Sequence, residues 1–259
     1  MDRKMRRGST NLGAEIVRGL QELNDAIERG EPIKMTTWST DRYRLIIFDL
    51  DGTLVDSLQD IAESLNECIE LLGLPTRPIA DFRYMVGEGV PALCQRAIGG
   101  IAPHLVPRLI ELARARYRTR SMRHSRPYAG VPQLVDQLAA LGLTLGVLSN
   151  KPHDMTTRMV RAFWPSETFR LIQGYVREEH RKPSPQHVHE MCTALNITPA
   201  QVCLVGDTPT DVLTARNAGC ECVAVTWGFR TRDDLLAAGA TCIVDTPEQV
   251  AAAILRQAQ

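Results

Sequence analysis

At 259 residues the chain is long enough for one substantial core, or for one core with a small accessory domain. Its composition, 44% hydrophobic and 23% charged, is that of a soluble globular protein. With 30 basic and 30 acidic residues the formal charge is zero, which argues against nucleic acid or an anionic membrane surface as a partner. No apolar run approaches the roughly 18 residues of a membrane span. No hydrophobic signal segment follows the basic Arg3, Lys4, Arg6 and Arg7, so a cytoplasmic protein is expected. The 7 cysteines fit no zinc spacing and several sit in apolar runs, which predicts buried free thiols in a reducing compartment.

In chain order, residues 1–42 come first as an extension. Leu12, Ile16, Leu20, Leu23 and Ile27 recur at helical spacing, which predicts an amphipathic helix capped near Ser9 to Asn11 and ended at Gly30-Glu31-Pro32. Such a stripe packs on the core, on a second copy or on another protein, so a monomer or a homodimer is expected.

The apolar run 44–50 then reads as a short buried strand. Residues 57–126 carry helical patterns and no convincing strand, with Leu105, Leu109 and Leu112 at helical spacing and Gly73, Gly99, Gly100 and Pro103 as punctuation. Beyond them, runs 143–150, 202–207 and 221–227 read as further strands, alternating with helices at 131–141, 184–195 and 210–218. This alternation predicts an α/β fold, a doubly wound and mainly parallel sheet flanked by helices. Residues 57–126 would be a small all-helical cap inserted after the first strand, with 43–56 and 127–259 forming the core.

In such sheets the ligand lies beyond the carboxyl ends of the strands, and the polar residues gather there. Asp49-Leu50-Asp51-Gly52-Thr53 follows the first strand. Residues two apart at a strand end point the same way, so Asp49 and Asp51 can face one reacting centre. Mutual repulsion would keep one of them protonated, giving a nucleophile and a general acid. Gly52 turns the chain, and Thr53 offers a hydroxyl and an N–H to a phosphate oxygen. Asp207 and Asp211, after another strand, supply oxygen ligands for a hard cation that would offset repulsion between a carboxylate and a phosphate. Lys182, fixed by the flanking Arg181-Lys182-Pro183-Ser184-Pro185, can neutralise Asp49 and the phosphoryl group. Ser149 and Asn150, ending a third strand, can hydrogen-bond phosphate. Each piece alone has an ordinary explanation as a turn, a cap or a surface lysine; the four in this order do not.

The segments FDLDGTLVDS, YAGVPQLVDQLAALGLTLGVLSNKP, RKPSP and VGDTPTDVLTARNAG resemble the haloacid dehalogenase-like hydrolases, and within them the phosphoglycolate phosphatase-like group with a helical cap. The resemblance runs from about Tyr43 to the C-terminus. It implies that Asp49 attacks phosphorus, that Asp51 protonates the leaving alcohol and then activates water, and that Ser149 and Lys182 bind the transferring group. It also implies magnesium held by Asp49, Asp51 through its backbone carbonyl, and Asp207, with Asp211 in support. The second aspartate, Asp51, favours phosphate over halide chemistry. The expected function is a phosphomonoesterase on a small phosphorylated metabolite, phosphoglycolate leading. A phosphomutase or pyrophosphatase on the same core, and a binding protein on a phosphatase scaffold, are the alternatives. Residues 57–126 contain no lysine, which argues against a phosphonate hydrolase working through a Schiff base. Arg83, Arg96, Arg123 and Arg126 are the cap's candidate anchors for a substrate carboxylate.

Overall fold

The structure is a computed structural model; it describes residues 42–120 and 122–255, together with 18, 19, 21, 22, 24–27, 29 and 30. Strand β1 (Leu45–Phe48) is fully buried, four apolar residues in succession. It lies between β4 (Thr144–Pro152) and β6 (Val202–Gly206), parallel to both. The sheet is completed by β5 (Leu171–Tyr175), β7 (Glu221–Val225) and β8 (Ile243–Val244), in the order β5-β4-β1-β6-β7-β8, every pairing parallel. A central strand with helices on both faces needs apolar side chains in both directions. In β1, Ile46 and Phe48 point to one face and Leu45 and Ile47 to the other.

The first face is covered by α5 (Val131–Ala140), α6 (His153–Phe163) and α10 (Pro247–Ile254), through residues such as Leu138, Met159 and Ile254. The second carries α7 (Gln186–Leu195) and α8 (Pro209–Ala218), through Val188, Met191 and Ala215. The short helix α9 (Arg232–Ala237) buries Leu235 beside Val212 and Ala224. The predicted helices at 131–141, 184–195 and 210–218 thus correspond to α5, α7 and α8. The predicted strands correspond to β1, β4, β6 and β7.

The insertion follows β2 (Val55–Asp56), which pairs antiparallel with β3 (Arg126–Pro127) to form the two-stranded connection to the core. Between them lie α1 (Leu58–Leu71), α2 (Phe82–Met85), α3 (Gly89–Ile98) and α4 (Val106–Arg120). These helices enclose an apolar cluster of their own around Leu65, Ile69, Phe82, Ile98 and Leu109, and one core residue, Phe229, is buried in it.

Of the N-terminal extension, Leu12, Ile16, Leu20 and Leu23 lie outside the described residues. Positions 18–19, 21–22 and 24–27 are helical, Gly30 has a positive φ of 64°, and Ile27 packs on the main core. Gln137 Nε2 donates to Asn24 Oδ1 at 2.6 Å, so this stretch rests on α5. The cysteines are free; Cys68, Cys94, Cys192 and Cys203 are buried, and Cys220 and Cys222 pack against the same apolar cluster. No helix of the described residues is long and apolar enough to cross a membrane.

Candidate active site

Chain order reverses across β1: the path from β4 to β5 runs to one side, that from β6 through β7 to β8 to the other. The crevice at that switch point is where open α/β sheets place their ligand. Register makes the placement concrete. Phe48 is level with Val147 and with Val205, so Asp49, Ser149 and Asp207 emerge together at the strand ends.

Asp49 is buried, with its backbone N–H bonded to the Val205 carbonyl at 2.9 Å. Its Oδ1 accepts from the Leu50 N–H at 2.6 Å and faces Lys182 Nζ at 3.0 Å. The same ammonium donates to Asp211 Oδ1 at 2.6 Å. Asp211 Oδ2 accepts from the N–H and hydroxyl of Thr208, at 3.1 and 2.7 Å, closing the N-terminus of α8. Asp207, fully buried, accepts from the Thr53 hydroxyl at 2.8 Å and from the Phe229 N–H at 2.7 Å. Gly52, at φ 93°, turns the chain so closely over Asp207 that a Cβ there would collide with its carboxylate.

Three buried carboxylates, Asp49, Asp207 and Asp211, thus bring ligand atoms within 4.8 Å of one another around a single ammonium. The electrostatics follow from that excess of negative charge. Burial pushes the Asp49 carboxyl up to about 8; Lys182 opposes the rise, while Asp211 and Asp207 add to it. Burial and Asp211 raise Asp207 to about 7 against the hydrogen bonds from Phe229 and Thr53. Lys182 is pulled down by burial and raised above its ordinary range by Asp211 and Asp49. An all-oxygen donor set that repels itself suits a hard divalent cation, and these residues fit one.

Asp51 sits in a different electrostatic cell. Lys151 Nζ donates to both its oxygens, at 2.7 and 2.9 Å, and the Ser57 hydroxyl donates to Oδ1 at 2.6 Å. The expectation that Asp49 and Asp51 repel each other into different protonation states therefore needs correction. The charges that raise Asp49 are Asp211 and Asp207, and Asp51 is paired with a lysine. Lys151 in turn donates to the Tyr117 hydroxyl of α4 at 2.6 Å and lies 4.7 Å from the centre of its ring. Burial raises the Tyr117 phenol to about 12.

Ser149 lines the cavity beside Asp49, its oxygen accepting from the Lys151 N–H at 3.3 Å. The Asn150 amide is spent on the backbone instead. Its Nδ2 donates to the Gly87 and Lys182 carbonyls at 2.9 and 3.0 Å, and its Oδ1 accepts from the Lys182 N–H at 2.8 Å. Asn150 therefore positions Lys182 and the cap loop. Among the arginines, Arg83 donates to the Gly228 carbonyl at 2.7 Å, and Arg96 donates to the Met85 carbonyl at 3.0 Å and pairs with Glu88.

Residues without an assigned role in the sequence complete the site. Lys151 lies two positions beyond Ser149, a spacing that places both on one side of a strand end. Tyr117 extends a four-residue spacing from Leu109 and Ala113 along α4. The loop after β7 gave no such signal, yet it supplies the Phe229 N–H to Asp207 and the Trp227 indole N–H to the Thr53 carbonyl at 3.1 Å. From it, Arg230 also donates to the Val86 carbonyl of the cap at 2.9 Å.

Comparison with known proteins matches residues 46–225 to the haloacid dehalogenase-like hydrolase family. A phosphoglycolate phosphatase of Chromobacterium violaceum is 34% identical over 191 residues, 72% of this chain and 86% of its own. One from Caulobacter vibrioides is 33% identical over 207 residues, 77% of this chain and 85% of its own. The crystal structure of a predicted phosphoglycolate phosphatase from Haemophilus somnus superposes with a TM-score of 0.77 at 27% identity, covering 83% of this chain and 99% of that one.

Proposed function

This chain belongs to the haloacid dehalogenase-like hydrolases and is a phosphatase; from that premise we propose a magnesium-dependent phosphomonoesterase that works through an aspartyl-phosphate on Asp49. The observation that carries the reading is the position of Asp49. It is buried at the end of the central strand, 3.0 Å from Lys182 and grouped with Asp207 and Asp211.

Asp49, Asp207 and the Asp51 backbone carbonyl would hold the cation, with Asp211 fixing Lys182 beside them. When bound, the cation supplies positive charge that lowers the repulsion between the nucleophile and a phosphate dianion. Asp49 is the nucleophile: its carboxylate oxygen bonds to phosphorus as the ester P–O bond breaks. Lys182 and Ser149 balance and orient the phosphoryl oxygens in transfer. Asp51 gives its proton to the departing alkoxide. It then takes a proton from the water that attacks the aspartyl-phosphate, which restores Asp49 and releases phosphate. Lys151 and Ser57 hold the Asp51 carboxylate in place for both steps. A cytoplasmic enzyme acting on a small phosphate ester fits this chemistry. Phosphoglycolate, named by the relatives, is the reference substrate.

The test is phosphate release from p-nitrophenyl phosphate and phosphoglycolate, with and without magnesium, by wild type and Asp49→Asn. Turnover that needs both the metal and Asp49 is expected. Undiminished turnover by folded Asp49→Asn would rule the nucleophile out, and phosphoryl migration without phosphate release would indicate a mutase.

A further inference from the structure

The relatives are named for an ester whose alcohol part is a carboxylate, yet the room beside Asp49 is not built to hold one. Its floor is Asp49, Asp51, Ser149 and Lys151. Its cap wall comes from three helices: Ile61 and Leu65 of α1, Val90 and Leu93 of α3, Ala113 and Tyr117 of α4. Ser64 and Tyr117 are the two hydroxyl residues on that wall.

Among the described residues lining this room, Lys151 is the one cation, and its three donors are spent. Two point at the Asp51 oxygens and the third at the Tyr117 oxygen. The arginines near the cap–core seam are directed elsewhere. Arg83 and Arg96 bond backbone carbonyls, Arg114 lines the adjoining cavity with His153 and Tyr175, and Arg181, beside Gly89, pairs with Glu178 at 3.1 Å. A carboxylate entering between Leu65, Val90 and Tyr117 would lose its water and meet the Asp51 carboxylate nearby with no counter-charge, an arrangement burial strongly disfavours. The wall instead suits carbon. Tyr117 accepts from Lys151, which leaves its own hydroxyl hydrogen free to meet one uncharged oxygen of a substrate.

Resting on the phosphatase reading above, we propose that this cap selects phosphate monoesters whose alcohol part is compact, uncharged and largely apolar, and that it discriminates against phosphoglycolate. Specificity in this chain then comes from apolar fit to α1, α3 and α4, with Tyr117 as the polar contact.

The experiment compares two ligands as competitive inhibitors of p-nitrophenyl phosphate turnover by the full chain with magnesium. One is phosphoglycolate. The other is isobutyl phosphate, in which two methyl groups replace the two carboxylate oxygens. Inhibition by isobutyl phosphate at a concentration at least tenfold lower is expected. Equal or tighter inhibition by phosphoglycolate would overturn the proposal while leaving the phosphatase reading intact. No turnover of p-nitrophenyl phosphate would overturn that reading, and this proposal with it. Val90→Arg, at a partly exposed position, adds a cation to the wall and is expected to move the ratio at least fivefold toward phosphoglycolate. An unchanged ratio from a folded variant would count against this room as the alcohol site.

Discussion

The N–H of Phe229 donates to Asp207 at 2.7 Å while the ring of Phe229 lies buried in the apolar cluster of the cap. One residue thus ties a carboxylate of the candidate metal site to the seat of the helical insertion. Phe229→Ala keeps the N–H and removes the ring, so it is expected to cost about 3–5 kcal/mol, the usual range for a buried phenylalanine. Phe229→Leu, which refills most of the volume, is expected to cost under about 1.5 kcal/mol. Urea midpoints measure both. A cap that docks less firmly raises KM more than it lowers kcat, and steady-state kinetics on Phe229→Leu reads that split.

The cap is also clasped at its entry and exit. Asp60 of α1 accepts from the Ser125 N–H and hydroxyl, at 2.8 and 2.6 Å, and from the His124 N–H at 3.0 Å. Burial would raise the Asp60 carboxyl, but the hydrogen bonds from Ser125 and His124 outweigh it and hold the group below its ordinary value. A lowered folded pKa stabilises fully above the unfolded value of about 3.9 and is lost as pH falls through the folded one. Asp60→Asn is therefore expected to cost about 1–2 kcal/mol at pH 7, hydrogen bonds to a charged group being the stronger kind. The difference from wild type should hold between pH 7 and 5 and shrink below about pH 4. Urea denaturation across that range checks the sign; a gap that widens on acidification would refute it.

Much of this site was legible because the fold concentrates its chemistry where the pattern changes abruptly. Four buried apolar residues run straight into Asp49, and Val202–Gly206 runs straight into Asp207. A buried strand ending in a carboxylate is visible in one dimension. Strand β5 was not, because its Leu171, Ile172 and Gln173 are only half buried at the sheet edge and Gly174 follows. Helix α6 was missed for a related reason: it buries Met155, Thr156, Met159 and Val160, while polar and charged residues dominate the rest of HDMTTRMVRAF. The link from Asp51 through Lys151 to Tyr117 joins residues 34 positions apart on a core strand and a cap helix, so no local period announces it. The spent amide of Asn150 was hidden likewise, since its partners Gly87 and Lys182 come from distant segments.

Lys182 is the one ammonium among three buried carboxylates, so its removal has two separable consequences. Lys182→Met leaves Asp49 and Asp211 facing each other unpaired, which is expected to destabilise the metal-free protein by about 3–5 kcal/mol. It also withdraws a fixed positive charge from the transferring phosphoryl group, with kcat expected to fall about 10²–10³-fold. Magnesium should restore part of the stability and little of the rate. Thermal melts with and without the metal, beside kcat, separate the two effects, and full recovery of kcat at high magnesium would show that Lys182 acts only on folding.

Gly228 packs so closely that a Cβ on it would collide with the Asp207 carboxylate and the Gly52 carbonyl. Its φ needs no glycine, so the constraint is space at the carboxylate rather than backbone conformation. Gly228→Ala must therefore displace either Asp207 or the loop carrying the Phe229 N–H. Both shifts act on the group expected to hold the cation, whereas Asp49, Lys182 and Ser149 keep their own partners. The expected result is about a tenfold rise in the magnesium concentration giving half-maximal rate, an order of magnitude typical of disturbed support around a metal ligand. The maximal rate at saturating metal should fall by less than the half-maximal concentration rises. A magnesium titration of phosphate release by both proteins decides it: an unchanged half-maximal concentration from a folded variant would mean that Asp207 is not held by this loop for the sake of the metal.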